Sequence, residues 1–141
     1  MRGVVPITYQ IDVERRTVRT KCVGPVMLSD VIHHFRTLVQ DPQCPDQADV
    51  FLDVSEVSSL PGTPQISSVV SQVKKIRGKL RFDALAILVT RDALFGMMRM
   101  FEALAQDYFR VTRTFRVAAE AEAWLALQQS ASQHGPADEK E

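Results

Sequence analysis

The sequence predicts an α/β protein: a mixed, mostly parallel sheet, entered through an antiparallel N-terminal β-hairpin and covered by about four helices. Three observations carry this prediction. Residues 7–13 and 17–23 each alternate apolar and polar, the period of a half-buried strand, and a short polar connection joins them. Ala84-Leu85-Ala86-Ile87-Leu88-Val89 is apolar at every position, as suits a central strand covered on both faces. After the hairpin, stretches with helical spacing alternate with short strand-like runs, which calls for right-handed crossovers between parallel strands. The order is β-β-α-β-α-β-α-β-α.

Each element has its own warrant. Asp12 to Arg16 supplies charge and turn character between the two hairpin strands, and Gly24-Pro25 ends the second. Ser29 and Asp30 give a helix start, and Leu28, Val31, Ile32, Phe35, Leu38 and Val39 follow as one apolar stripe. Asp41-Pro42 stops that helix, because proline disfavours helical geometry in the residue before it. Residues 50–54 form a short apolar run, read as a buried strand, and residues 55–62 read as a loop. Thr63-Pro64 has the form of an N-cap followed by proline at the first helical position. Ile66, Val69, Val70, Val73 and Ile76 are its stripe, and Gly78 is placed to close it.

Thr90 or Asp92 is the expected cap of a third helix, whose apolar positions are Leu94, Met97, Met98, Phe101, Leu104 and Ala105. Gly96 inside it costs about 1 kcal/mol against alanine, which points to a close packing contact. Residues 111–117 form a half-polar strand near a sheet edge. Residues 118–128 form the last helix, with Trp124, Leu125 and Leu127. Residues 1–129 are thus expected to make one domain. Residues 130–141 lack apolar periodicity and are expected to form a disordered tail.

Composition narrows the class. Of 141 residues, 45% are apolar and 24% charged, enough for one soluble domain that folds without a staple. Seventeen basic residues balance seventeen acidic ones, so charge gives no reason to expect nucleic acid. No apolar run is long enough for integral membrane association, and the start, Met1 to Pro6, lacks the apolar stretch of a secretory signal. A cytoplasmic protein is the expectation. Cys22 and Cys44 fit neither a zinc site nor a disulfide framework and read as reduced thiols. His33 and His34, adjacent on a helix, point about 100° apart and do not converge on a metal. His134 falls in the tail. No metal and no cofactor are expected.

Several stretches resemble the SpoIIAA-like family of STAS-fold proteins, relatives of bacterial anti-anti-sigma factors. Residues 95–104, Phe-Gly-Met-Met-Arg-Met-Phe-Glu-Ala-Leu, are similar to the family's FG-x-x-RM-[FY]-EAL stretch. Thr114-Phe115-Arg116 and Ala121-Glu122-Ala123-Trp124-Leu125 resemble its closing segment. Ile7 to Asp12 resembles its opening strand, and Phe51-Leu52-Asp53-Val54-Ser55 its "vDlS" strand end. The match covers about residues 5–127 and keeps the family's order. The resemblance implies a STAS-like domain that binds another protein. In anti-anti-sigma proteins the loop after "vDlS" ends in D-S-S-G, and phosphorylation of one serine controls partner binding. Here the corresponding tetrapeptide is Pro61-Gly62-Thr63-Pro64: the aspartate is absent and the second serine position falls on Thr63.

Thr63 is therefore the first phosphoacceptor candidate, since a helix N-terminus favours a phosphate. Its ordinary role would be a plain cap, and Pro64 removes one N–H donor. Ser58 and Ser59 are alternatives. Asp53 and Ser55 lie at the end of one parallel strand and Thr90 and Arg91 at the end of the next, where open α/β sheets bind ligands. With Phe95, Met98 and Arg99 they make the candidate interaction or ligand surface. Met97, Met98 and Met100 with Phe95 and Phe101 nearly encircle the third helix, as a core or an adaptable apolar surface would. Lys74, Lys75, Arg77, Lys79 and Arg81 form a basic cluster that suits a solvated helix end or an anionic partner. Arg110, Arg113 and Arg116 alternate faces and read as edge charges.

Three functions follow. The first is a non-enzymatic interaction or regulatory domain with a protein partner or a second copy, a homodimer, docking at residues 58–63 and the starts of the second and third helices. The second is a carrier of a small apolar, lipid-like ligand in a Sec14-like pocket between sheet and third helix; a cavity of ~300 Å³ or more favours it. The third is an enzyme using Asp53 and Asp92, although no base is obviously paired with a nucleophile.

Overall fold

The N-terminal hairpin gives the sheet its one antiparallel pairing, and every later strand is added in parallel. The computed structural model describes residues 6–76 and 81–139. Along them run β1 (Ile7–Asp12), β2 (Thr17–Pro25), α1 (Leu28–Gln40), β3 (Ala48–Ser59), α2 (Thr63–Ile76), β4 (Phe82–Leu88), α3 (Asp92–Ala105), β5 (Val111–Phe115) and α4 (Ala118–Glu139). The five-stranded sheet has the order β1-β2-β3-β4-β5, antiparallel only between β1 and β2. This is the mixed sheet the alternation predicts.

Period-two alternation sorts side chains onto two faces. Val18 and Cys22 of β2, Val54 of β3, and Leu85 and Ile87 of β4 point to one face and meet α1, α2 and α3 in the larger core. The other face carries Phe51, Ala84, Ala86, Leu88 and Phe115, covered by Ala121 and Leu125 of α4. Because α4 packs chiefly on β3, β4 and β5, the outer face of β1 and the later part of β2 stay open, and Thr8, Gln10 and Lys21 are exposed there.

Several boundaries differ from the sequence reading, each for a local reason. α1 starts before Ser29: Met27 holds the cap position, and Asp30, at the third helical residue, accepts the Met27 N–H at 2.8 Å. That is the return arm of a capping box. β3 continues through Ser59, so Ser55, Ser58 and Ser59 belong to a strand and the loop shrinks to residues 60–62. The cause is β2, which bends at irregular steps and keeps pairing as Val23↔Glu56, Gly24↔Val57 and Pro25↔Ser59. Gly24 sits at this bend with φ +71°, a conformation other residues rarely adopt.

α2 is entered through Gly62, whose N–H donates to Gln65 Oε1 at 3.2 Å while its carbonyl accepts the Gln65 N–H at 2.8 Å. Thr63 is thus the first helical residue rather than the cap. The stop at Gly78 lies outside the described residues. Neither Thr90 nor Asp92 caps α3: Arg91 holds that position without a side-chain cap, and Asp92 is the first helical residue. Gly96 is exposed, and a Cβ there would meet nothing within 4 Å, so no close packing contact explains it. α4 continues past Gln128 to Glu139 without a break at Ser130. Gln129, just beyond the last apolar position, is tied to β2: its Nε2 donates to Thr17 Oγ1 at 2.7 Å.

Candidate functional site

Two regions gather the chemistry, a polar rim at the carboxyl end of the sheet and an apolar cavity beneath it. At the rim, Asp53 lies opposite Leu88 in the parallel register, which brings Thr90 beside Ser55. Asp53 Oδ1 accepts both the Ser55 N–H at 2.9 Å and the Ser55 hydroxyl at 2.6 Å. Arg91 reaches back from the β4–α3 junction and donates to the carbonyls of Val57 at 2.9 Å and Ser58 at 3.5 Å. A guanidinium suits this task, because its fork of donors satisfies neighbouring acceptors at once. The end of β3 is thereby fixed, with Ser58 and Ser59 exposed on it.

Arg116, just past β5, completes the rim. It donates to the Thr90 carbonyl at 3.0 Å, pairs with Asp92 and lies 5.0 Å from the centroid of the Phe95 ring. Arg99 approaches the same ring at 5.9 Å and pairs with Glu102 at 3.4 Å. Such cation–π contacts on a partly exposed ring are worth about 0.5–1 kcal/mol each. Met27 stands beside the β3 end, 63% exposed, since the neighbouring Val26 N–H donates to the Ser59 carbonyl at 2.9 Å.

The structure therefore gathers Asp53, Ser55, Thr90, Arg91 and Phe95 of the predicted surface, and Arg99 joins through Phe95. Met98 lies away from the rim and lines the apolar cavity beneath it. It is 5% exposed, on the buried stripe of α3 with Leu94, Phe101 and Ala105. The Thr63 side chain lies outside the described ones, as do Arg77 and Lys79 of the basic cluster. Of that cluster, Arg81 pairs with Asp46. Arg116 is therefore more than the edge charge its spacing suggests, and Met27 stands at the rim although no spacing in the sequence marks it. The signal for Arg116 was its place: it follows β5 as Thr90 follows β4, so parallel register puts both at one end.

Beneath the rim, between the sheet and α1–α3, lies a cavity of about 110 Å³. Its walls are almost wholly apolar, among them Leu52, Leu85, Met98 and Phe101. Three polar-capable side chains line it: Thr20, Cys22 and His34. Thr20 is 3% exposed, and its Oγ1 is buried without a hydrogen-bond partner. Burial pushes the Cys22 thiol up to about 12, which keeps it protonated. Burial, and secondarily the neighbouring His33, pushes His34 down to about 4, so its imidazole is neutral near pH 7. The His34 ring meets Tyr9 edge-on at 5.6 Å, and the Tyr9 hydroxyl donates to Asp41 at 2.7 Å. The volume is about a third of that expected for a lipid-like guest.

The carboxylates are engaged with neighbours. Asp53 holds Ser55 and Asp92 meets Arg116. On the α4 side, Asp53 also lines an open polar groove with Arg19, Lys21, Phe51 and Glu122. Arg19 bridges to Glu122 through two contacts of 2.8 and 2.9 Å, and Lys21 pairs with Glu56 at 2.7 Å. Among the described residues no three His, Cys, Asp or Glu side chains are grouped to hold a metal ion, and Cys22 and Cys44 are free thiols. No helix among them is long and apolar enough to cross a membrane.

No family model matches the chain, and no curated protein matches it. Among solved structures, the chain is similar to the crystal structure of an uncharacterised protein of the DUF3478 family with a SpoIIAA-like fold from Shewanella loihica PV-4. The TM-score is 0.59 at 16% identity, and the match covers 89% of this chain and 98% of that one. At this identity the likeness speaks for the fold alone.

Proposed function

We propose, from its SpoIIAA-like fold and the rim described above, that the protein is a non-catalytic interaction domain that docks a protein partner at the carboxyl end of the sheet. One observation carries the reading: exposed Met27 stands beside exposed Ser58 and Ser59 on a β3 end that Arg91 holds by two carbonyls. An apolar side chain offered on a fixed backbone, with charged Arg99 and Arg116 on the far side of Arg91 around Phe95, suits a partner surface: little order has to be gained on docking. Phosphorylation at Ser58 or Ser59 would add charge at this same rim.

In-cell photo-crosslinking tests the reading. Benzoylphenylalanine in place of Ser59 is expected to give a discrete adduct that Met27→Glu abolishes, while the same group in place of exposed Ala126 on α4 gives none. Equal adducts at both positions, no adduct at the rim, or indifference to Met27→Glu would overturn it. A second reading, a small apolar ligand held between sheet and helices, is favoured by the cavity with the unpartnered Thr20 hydroxyl in its wall.

A further inference from the structure

We infer that the cavity between the sheet and α1–α3 binds a small single-headed amphiphile, about the size of a substituted benzene ring, whose one hydrogen-bonding group meets the Thr20 hydroxyl. The inference rests on the second reading above and adds to it the size and the polar group of the ligand.

Volume sets the size. The cavity is about 110 Å³. An apolar cavity of about 150 Å³ is known to accept benzene; this one is smaller, so its guest is at most a single small ring or a short branched chain, and a long acyl chain is excluded. Thr20 sets the polarity. Strand alternation turns it inward with Val18 and Cys22, and it is 3% exposed. Valine has the same branched shape and would fill the position without a polar atom. The hydroxyl is therefore surplus to packing, and leaving it unpaired in the core is costly. In the sheet Thr20 stands between Tyr9 and Leu52, and the cavity wall is otherwise apolar except for His34 and Cys22. A buried water needs about two to four polar partners, and an organic guest brings its own apolar body to the rest of the wall. A guest with a hydroxyl or carbonyl at one end and an apolar body satisfies Thr20 and fills the space together.

Phenol and toluene are the probes, since they share one shape and differ in a hydroxyl against a methyl group. Both are titrated into the full chain, read by NMR shifts of the Met98 methyl and by melting temperature. Toluene binding reports the cavity alone. The ratio of phenol to toluene affinity reports Thr20. That ratio is expected to fall about three- to tenfold in Thr20→Val and to hold in Thr20→Ser. If both probes bind and the ratio is the same in Thr20→Val, the polar anchor is wrong while the cavity ligand stands. If neither probe moves the Met98 signal at millimolar concentration, the cavity reading and this inference fall together.

Discussion

Single side chains decide how this core is wetted and how it titrates. Thr20 is the clearest case: a hydroxyl inside an apolar wall, 3% exposed and unpaired. Without ligand, Thr20→Val is expected to raise stability by about 1 kcal/mol, because a methyl group replaces an unsatisfied hydroxyl of the same shape. Urea unfolding checks it, and a loss of stability would mean the hydroxyl has a partner in solution. Asp49 shows the opposite economy. It is 5% exposed, yet its Oδ1 accepts the Ala84 N–H at 2.9 Å, where the ladder between β3 and β4 slips register. One buried carboxylate there stands in for a missing backbone acceptor. Neither role can be read from the sequence. A threonine in an alternating strand looks like any β-branched residue, and Asp49 looks like a turn residue before a strand.

At the scale of elements, apolar spacing made the helices and strands legible, while their ends were decided by neighbours. The stripes of α1, α2 and α3 turn mainly to the core, but Leu104 of the α3 stripe is 43% exposed, and the Ile76 side chain lies outside the described ones. β3 outran its apolar run because β2 bent with it, and α2 begins at Thr63 itself, with Gly62 rather than Thr63 before its first turn, because Gln65 closes on Gly62. Gly96 is a further instance. A glycine inside a helix suggests a tight contact, but the position is exposed with open space around it. Gly96→Ala is therefore expected to stabilise α3 by up to about 1 kcal/mol, read as a higher melting temperature. A decrease would show that the position needs glycine for a contact made outside this chain.

At the scale of the molecule, stability is tied to pH through a histidine in the core wall. His34 titrates at about 4 in the folded protein against an ordinary 6.5. The unfolded chain thus takes up the proton first as pH falls. The stability contributed by keeping His34 neutral is complete above pH 6.5 and drains away between 6.5 and about 4. His34→Leu is expected to flatten the stability curve across that window, as chemical denaturation at several pH values would record. An unchanged slope would overturn the assignment to His34, because Asp41 and Asp46, held below their usual range by the donors Tyr9 and Arg81, shed their contribution only at lower pH.

By itself the sequence determined the element order, the antiparallel entry into a parallel sheet, and which stripes turn inward. Those depend on periodicity, a local property of the chain. Only the tertiary structure decided that Arg91 and Arg116 converge on one rim, that Met98 belongs to the core, and that Thr20 faces a void. Each of these joins residues from different elements, and the distance between them is fixed by sheet register and helix packing rather than by spacing along the chain.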